Sequence, residues 1–398
     1  MWNVSKEAKE KFLKCNLLPI PESDEEWEIT LREAKEEGED LIGRLKTDLE
    51  EVRAELRVSL PDRFIPYVED GTLNQPSLPK SVREDYLQWM RAADQEFEQI
   101  LDAALEQKNQ AVPFLSNAVQ EVFADSLHDS TIERIEREAE TLHIYINTDG
   151  GFSPKSLIHL TFNGISSEET DVPLQVGQWF IYDELQKNDE GFAFRVLFEC
   201  PESQWTIMMK DLDARYFYRP KKYTSLQDSE ELDRTSLTEY ISTLDPERNY
   251  WFITPDVEFA FHSLTGNLVL ENGSIEIVNN EINVISGTEC YSYNLKEYNP
   301  IKFIYTDNYE DPYEHMNEPV PINELEEAAL NEDLEWQVRA WNTMYSNPIE
   351  LAGIINRVLM KIEVTEDIEM MLSVYVSHFY KNEILSDDVI RKYREFID

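Results

Sequence analysis

The residues best suited to chemistry are the adjacent pair His128-Asp129, which opens the most distinctive polar stretch of the 398-residue chain. A neighbouring His and Asp can bind a metal ion, as in the phosphohydrolases named for this dyad. Those enzymes also need a further His upstream and a distant Asp on a helical bundle, and no His precedes His128 here. The pair therefore predicts either the catalytic residues of a metal-dependent hydrolase or nucleotide-acting enzyme, or a turn. In the second case Asp129 and Ser130 lead the chain into a strand and His128 hydrogen-bonds locally.

Two other polar groups suggest a catalytic role at first sight. Asp183-Glu184 offers two carboxylates, but neighbours on a strand point to opposite faces, so the pair predicts surface acids. Asp149-Gly150-Gly151 lacks the spacing and the following Lys of a phosphate-binding loop and predicts a turn. The sequence contains no G-x-S-x-G elbow, no H-E-x-x-H and no C-x-x-C. We expect neither a cofactor-binding site nor a metal site.

Helical patterns fill the chain before these groups. Ser23 with Glu26, and again Ser81 with Glu84, match the capping box that marks the start of a helix. Prolines interrupt residues 60–80 and predict a loop there. Apolar residues recur at helical spacing, as expected for core packing, in three sets: Leu41, Leu45, Leu49, Val52 and Leu56; Tyr86, Met90, Ala93, Phe97, Ile100, Leu101 and Ala104; and Val119, Val122 and Phe123.

Strand patterns begin after residue 125. Apolar and polar residues alternate there with the period of a strand that is covered on one face. The apolar sets are Leu142, Ile144 and Ile146; Ile158, Leu160 and Phe162; Phe192, Phe194, Val196 and Phe198; and Trp205, Ile207 and Met209. Short strands at this spacing predict a meandering antiparallel sheet, whose apolar face the preceding helices would cover.

Several motifs of this stretch occur together: Leu127-His128-Asp129-Ser130, Asp149-Gly150-Gly151-Phe152, Trp179-Phe180-Ile181-Tyr182-Asp183-Glu184, Gly191-Phe192 and Trp205-Thr206-Ile207. On these motifs the chain resembles a Bacillus-type family known as domain of unknown function 4085. The resemblance covers roughly Met1 to Pro220 and is clearest in residues 125–218. It implies a helical part followed by a compact β part, and it implies no particular activity.

The last third of the chain predicts a second β-then-α region. The basic island Arg219-Pro220-Lys221-Lys222 and the polar residues after it predict a linker. Asn-Gly and Asn-Asn pairs then separate short strand-like runs, which favours hairpins. These runs are residues 250–253, 268–270, 275–278, 282–285 and 301–305. After Pro321 the spacing of apolar residues becomes helical again.

Together these patterns predict an α+β protein. We expect an N-terminal helical layer, a central antiparallel β domain, and a small C-terminal β-sheet followed by a helical bundle. The predicted boundaries are 1–124 for the helical region, 125–220 for the β domain, 221–245 for the linker and 246–398 for the C-terminal domain.

Charge limits the possible partners. The chain has 36 Lys and Arg against 80 Asp and Glu, a formal net charge of −44. This charge repels a phosphate backbone, so we do not expect direct nucleic-acid binding. It attracts a basic protein and accelerates its association. Acidity also keeps proteins dispersed in solution, and that explanation needs no partner.

Three functional hypotheses follow from the sequence. The first is a non-catalytic acidic binding protein, such as an immunity or inhibitor protein that neutralises a basic toxin or nuclease. The second is the hydrolase or nucleotide-acting enzyme that would use His128 and Asp129. The third is a structural interaction module built on the N-terminal helices.

The predicted location is cytoplasmic. Cys15, Cys200 and Cys290 are odd in number and far apart in the sequence, which indicates a reducing compartment. The first residues lack the apolar core of a signal peptide, and no window approaches the ~20 apolar residues of a membrane span. We therefore expect no association with a membrane.

Overall fold

The computed structural model describes residues 2–261, 273–278, 281–294, 297, 299–331 and 333–397. The chain divides into two compact units. One comprises Met1–Arg219 and Asp245–Tyr309, and the other comprises Pro220–Leu244 and Glu310–Asp398. Helices, an antiparallel sheet, small sheets and further helices follow one another along the chain. The fold is α+β, as predicted.

The first unit begins with helices α1 (Lys6–Cys15), α2 (Asp24–Glu37), α3 (Leu41–Ser59), α4 (Ile65–Glu69), α5 (Lys80–Ala111) and α6 (Asn117–Phe123). The Oγ atom of Ser23 accepts the N–H of Glu26 at 3.0 Å, so the predicted cap of α2 is confirmed. The predicted cap at Ser81 is wrong, because the residue that precedes α5 is Pro79, two residues earlier, and Ser81 lies in the first turn. The loop predicted for residues 60–80 contains α4, whose first turn accommodates Pro66.

The central sheet comprises β1 (Thr131–Glu138), β2 (Thr141–Asn147), β3 (Leu157–Asn163), β4 (Ser167–Thr170), β5 (Trp179–Asn188), β6 (Gly191–Glu199), β7 (Ser203–Met209) and β8 (Asp211–Phe217). The strand order is β4-β7-β6-β5-β1-β2-β3-β8, and every pair is antiparallel. Two short meanders, β1-β2-β3 and β5-β6-β7, are thus joined side by side. The predicted antiparallel sheet is confirmed, and its two halves meet between β1 and β5.

Helix α6 covers one face of this sheet. Its Val119, Val122 and Phe123 pack with the buried residues of β2, β3, β6 and β7, and Phe123 meets Phe194 edge to face. The apolar alternation of the sequence supplies this core, because every second side chain of each strand points the same way. Phe162, Phe194 and Trp205 are among its fully buried rings.

Strand β5 is covered in an unusual way. It pairs with β1 in the described residues only at Thr131 and Trp179, and a bulge at Ile181 interrupts its pairing with β6 between Phe180 and Tyr182. Helix α5 packs against β5, and the rings of Phe97 and Tyr182 lie 5.4 Å apart. The helix therefore covers the face of β5 that carries Tyr182.

The first unit also contains two three-stranded sheets. One has the order β10-β9-β14 and the other the order β11-β12-β13. Their strands are β9 (Tyr250–Ile253), β10 (Glu258–Phe261), β11 (Gly273–Val278), β12 (Glu281–Ser286), β13 (Glu289–Asn294) and β14 (Ile304–Thr306). The strand predicted at residues 268–270 lies outside the described residues.

The second unit is helical, with α7 (Lys221–Asp228), α8 (Leu237–Thr243), α9 (Leu325–Ala328), α10 (Leu334–Ser346), α11 (Pro348–Lys361), α12 (Glu366–Lys381) and α13 (Asp387–Lys392). Trp341, Ile355 and Leu372 are fully buried in its core. The segment 221–245, predicted as a linker, contains α7 and α8. None of the helices in the described ranges combines the length and apolar character needed to cross a bilayer.

Candidate functional site

A pocket of about 500 Å³ opens beside β5 and contains the residue on which the sequence prediction centred. Helix α5, the segment before β1, the turn after β2 and the start of β5 form its wall. The lining residues are Leu101, Asp102, Ala104, Leu105, Lys108, Ser126, His128, Phe152, Ile181, Tyr182 and Asp183. This size is typical of small-ligand pockets, which are mostly apolar with a few polar groups.

The segment before β1 fixes His128 at the pocket wall. The N–H of His128 donates to Ser126 Oγ at 3.1 Å, and the N–H of Ser130 donates to the Leu127 carbonyl at 3.1 Å. Asp129 takes a left-handed backbone conformation with φ 63°, and its N–H donates to the carbonyl of Phe180 at 2.9 Å. The predicted turn into β1 is therefore present, and it is attached to β5.

The imidazole of His128 is held in one orientation. Its Nδ1 lies 2.5 Å from the carbonyl oxygen of Ile181. A carbonyl oxygen only accepts, so Nδ1 carries the proton and the other ring nitrogen is an acceptor in the neutral ring. Nε2 lies 3.6 Å from Asp129 Oδ1. His128 thus bonds locally through its backbone N–H, whereas its ring bonds to Ile181 of β5, which is distant in the sequence.

Asp183 is the polar group that sequence reasoning missed. It pairs in register with Val196 of the sheet core and lies two residues before the fully buried Leu185, so its side chain is on the core face. Its Oδ2 atom is buried and has no hydrogen-bond partner among the described residues. Burial raises the pKa of this carboxyl, Lys108 and His128 lower that pKa, and the charge of Glu184 raises it further.

Glu184 lies on the opposite face of β5 and has a structural role. It is 0 % exposed and accepts the N–H groups of Asn3 and Val4 at 2.8 and 2.9 Å. The prediction that Asp183 and Glu184 point to opposite faces is confirmed. The prediction that both are surface acids is wrong, because α5 and the N-terminal segment cover β5. The signal in the sequence was two acids inside the otherwise apolar run from Trp179 to Leu185.

The pocket therefore combines few but distinct chemical groups. Asp183 offers a carboxyl, His128 an imidazole and Lys108 an ammonium, and Phe152 and Tyr182 offer aromatic faces. Asp129 is exposed and does not belong to the lining. Among the residues described, no group of three or more His, Cys, Asp or Glu could hold a metal ion. The arrangement can bind a hydrogen-bond donor or cation, and a carboxyl and an imidazole are groups that can act as acid and base.

Comparison with known families places this part of the chain. A model of the family described as "Protein of unknown function (DUF4085)" matches residues 5–209. The chain belongs to this family. The match covers more than half of the sequence, runs from α1 to β7 and includes every residue that lines the pocket. No curated protein and no solved structure is significantly similar to the chain.

Proposed function

We propose that the protein is a non-catalytic binding protein of the cytoplasm that neutralises a basic protein, such as a toxin or nuclease, by covering that protein's active site. One feature of α5 carries the proposal. Asp94, Glu98, Asp102 and Glu106 recur every four residues on this helix and are all exposed. We call these four residues the acidic stripe. They span about 18 Å at a rise of 1.5 Å per residue.

The acidic stripe is available to a partner. In the described part of the chain no Lys or Arg forms an ion pair with any of its four carboxylates, whereas Glu96 on the same helix pairs with Lys11. Like charges four residues apart on a helix repel one another, so an incoming cation relieves repulsion as well as gaining attraction. Asp102 also lines the pocket, so the stripe leads directly to it.

Two properties of the whole chain support this proposal. The net charge of −44 steers a basic partner towards the surface and opposes binding to nucleic acid. Cys15, Cys200 and Cys290 are all unpaired thiols, which suits a reducing compartment.

The proposal is tested by removing the stripe charges with a matched control. The variant D94N/E98Q/D102N/E106Q removes four charges from α5, and E25Q/E28Q/E33Q/E36Q removes four exposed charges from α2. Basic proteins captured by the wild type, together with any toxin encoded beside it, are purified, and their association rates are measured at low salt. We expect the stripe variant to slow association about tenfold and the α2 variant to slow it much less.

Three outcomes contradict the proposal. If the two variants slow association equally, the stripe acts only through its share of the net negative charge of the chain. If the wild type captures no basic protein, the proposed partner does not exist. If the protein does not protect cells against any toxin encoded beside it, it is not a neutralising protein.

His128 and Asp183 in one pocket favour a second candidate, a hydrolase or nucleotide-acting enzyme. The imidazole and the carboxyl would act as acid and base, and His128 with Asp129 would provide metal ligands. Metal analysis of the purified protein discriminates this candidate. Stoichiometric zinc, manganese or iron that is lost in His128→Ala would support the enzyme, and metal-free protein with unchanged partner binding would support the binding protein.

A further inference from the structure

One oxygen of the Asp183 carboxyl, Oδ2, is buried and has no hydrogen-bond partner among the described residues. Asp183 itself is among the residues that line the pocket. Leaving a buried acceptor unpaired destabilises a fold, and a charged one costs more. Such groups are rare in native proteins and need an explanation. A ligand that donates hydrogen bonds to Asp183 would supply the missing partner.

The other walls of the pocket favour a planar cation. The rings of His128, Phe152 and Tyr182 line it, with the His128 ring centre 5.8 Å from that of Phe152 and 5.9 Å from that of Tyr182. Phe152 is 68 % exposed, so an aromatic face is presented at the surface. A guanidinium stacks on aromatic faces and is attracted by their electrons, and it loses less hydration than an ammonium.

The polar groups of the pocket are complementary to a guanidinium. Asp183 and Asp102 accept hydrogen bonds. A guanidinium carries five N–H donors and no acceptor, and its fork fits a carboxylate with two parallel bonds. The opposing group is Lys108, the cation of the lining, which forms no ion pair among the described residues. Its long stem allows the ammonium to move outward when another cation enters.

We infer that this pocket binds an arginine side chain of the basic partner, with Asp183 pairing its guanidinium and the three rings stacking on it. The inference rests on the proposed function, because the acidic stripe delivers a basic surface to the pocket through Asp102. Buried arginines in aromatic pockets are frequent hot spots of protein interfaces. The stripe would then govern the rate of encounter, and the pocket would govern the lifetime of the complex.

The test uses the full chain and a defined probe. N-acetyl-L-arginine N-methylamide is titrated by ligand-observed NMR and compared with the citrulline analogue, which has nearly the same shape but no charge. We expect saturable binding of the arginine probe in the millimolar range and binding of the citrulline probe that is weaker by about tenfold. Asp183→Asn should weaken the arginine probe by a similar factor. Lys108→Met should strengthen it several-fold, because a competing cation is removed.

Two controls separate a binding role from a folding role. Asp189→Asn removes a charge at the exposed turn after β5 and should leave probe binding unchanged. Asp183→Asn should unfold at a higher temperature than the wild type, since it removes the ionisation of a buried unpaired carboxyl. If Asp183→Asn is at least as stable as the wild type and still binds the arginine probe more weakly, the loss of binding is due to the pocket and not to unfolding.

The inference is overturned if the citrulline probe binds as tightly as the arginine probe, or if Asp183→Asn binds the arginine probe like the wild type. In either case loss of partner association in the stripe variant would leave the proposed function intact. If the arginine probe binds as expected but neither variant affects a protein partner, the proposed function fails instead.

Discussion

His159 on β3 is a buried histidine away from the pocket. It is 8 % exposed, and its ring stacks on Tyr145 with centres 4.1 Å apart. Its Nε2 lies 3.0 Å from His143 Nδ1, and its own Nδ1 is buried without a partner among the described residues. Burial lowers the pKa of His159 to about 3, and the charges of His143, Arg215 and Arg134 act in the same direction. The folded state therefore keeps this ring neutral.

A neutral buried histidine makes stability depend on pH. In the unfolded chain His159 takes up a proton below its ordinary pKa of about 6.5. In the folded state it takes up this proton only near pH 3. Stability is therefore lost as the pH falls through this window, by about 1.4 kcal/mol per pH unit in its middle. We expect His159→Phe, which can still stack on Tyr145, to reduce the loss between pH 7 and pH 5 by about 2 kcal/mol. Urea unfolding at the two pH values measures this difference.

His315→Phe, at a half-buried position of the other unit, is the matched control for His159→Phe. Comparison of the pH dependence, rather than of stability at one pH, removes the packing cost that each substitution brings. An identical pH dependence in His159→Phe and wild type would show that His159 takes up its proton in the folded protein.

Single residues show which part of the site could be predicted. His128 was found because adjacent His and Asp are rare enough to attract notice. Asp183 was missed because its position depends on the bulge at Ile181 and on α5, which packs against β5 from about 80 residues earlier in the chain. Neither the bulge nor this long-range contact produces a local pattern in the sequence. An acidic residue within an apolar run is a local pattern.

At the scale of elements, β5 holds the N-terminal segment through Glu184. The carboxylate accepts the backbone N–H groups of Asn3 and Val4, the side-chain amide of Asn3 at 2.9 Å and that of Gln186 at 2.6 Å. Hydrogen bonds to a charged acceptor are stronger than neutral ones. A segment that precedes α1 is thereby fixed to a strand about 180 residues later in the sequence.

Removal of this carboxylate should release the segment. In Glu184→Ala the two backbone N–H groups lose their acceptor, and we expect a cost of about 3 kcal/mol in the free energy of unfolding. Hydrogen exchange should accelerate in the residues around Asn3 and Val4, with little change in β2 and β3. Glu190→Ala, at the exposed turn between β5 and β6, is the control for loss of one carboxylate. If Glu184→Ala lowers the free energy of unfolding no more than Glu190→Ala does, α1 is held by its ion pairs, such as Lys9 with Glu199.

Elements were predictable where the signal is local. The cap at Ser23 and the alternation of β2 and β3 could be read directly from the sequence. The start of α5 at Lys80 could not, because Ser81 and Glu84 match a capping box inside the first turn. The pairings of β8 with β3 and of β4 with β7 are also invisible in the sequence, since strand order depends on contacts between distant residues.

For the whole molecule, repulsion among carboxylates is the dominant electrostatic property. The 80 Asp and Glu exceed the 36 Lys and Arg, so even complete pairing would leave most acids without a cation. The exposed ion pairs, such as Arg57 with Glu69 and Arg63 with Asp85, contribute little each. The compact state therefore carries a net repulsion that the more expanded unfolded chain relieves.

Salt should consequently stabilise this protein. The Debye length falls from about 30 Å at 0.01 M to about 3 Å at 1 M salt, so long-range repulsion is screened while short pairs are affected less. We expect the melting temperature in calorimetry to rise by about 3 °C between low and 0.5 M NaCl. Sodium chloride is preferred to sulfate, which stabilises proteins by exclusion from their surface. The variant E25Q/E28Q/E33Q/E36Q should show a smaller rise, because it begins with less repulsion. A melting temperature that falls with salt would mean that attraction within the ion pairs outweighs repulsion across the molecule.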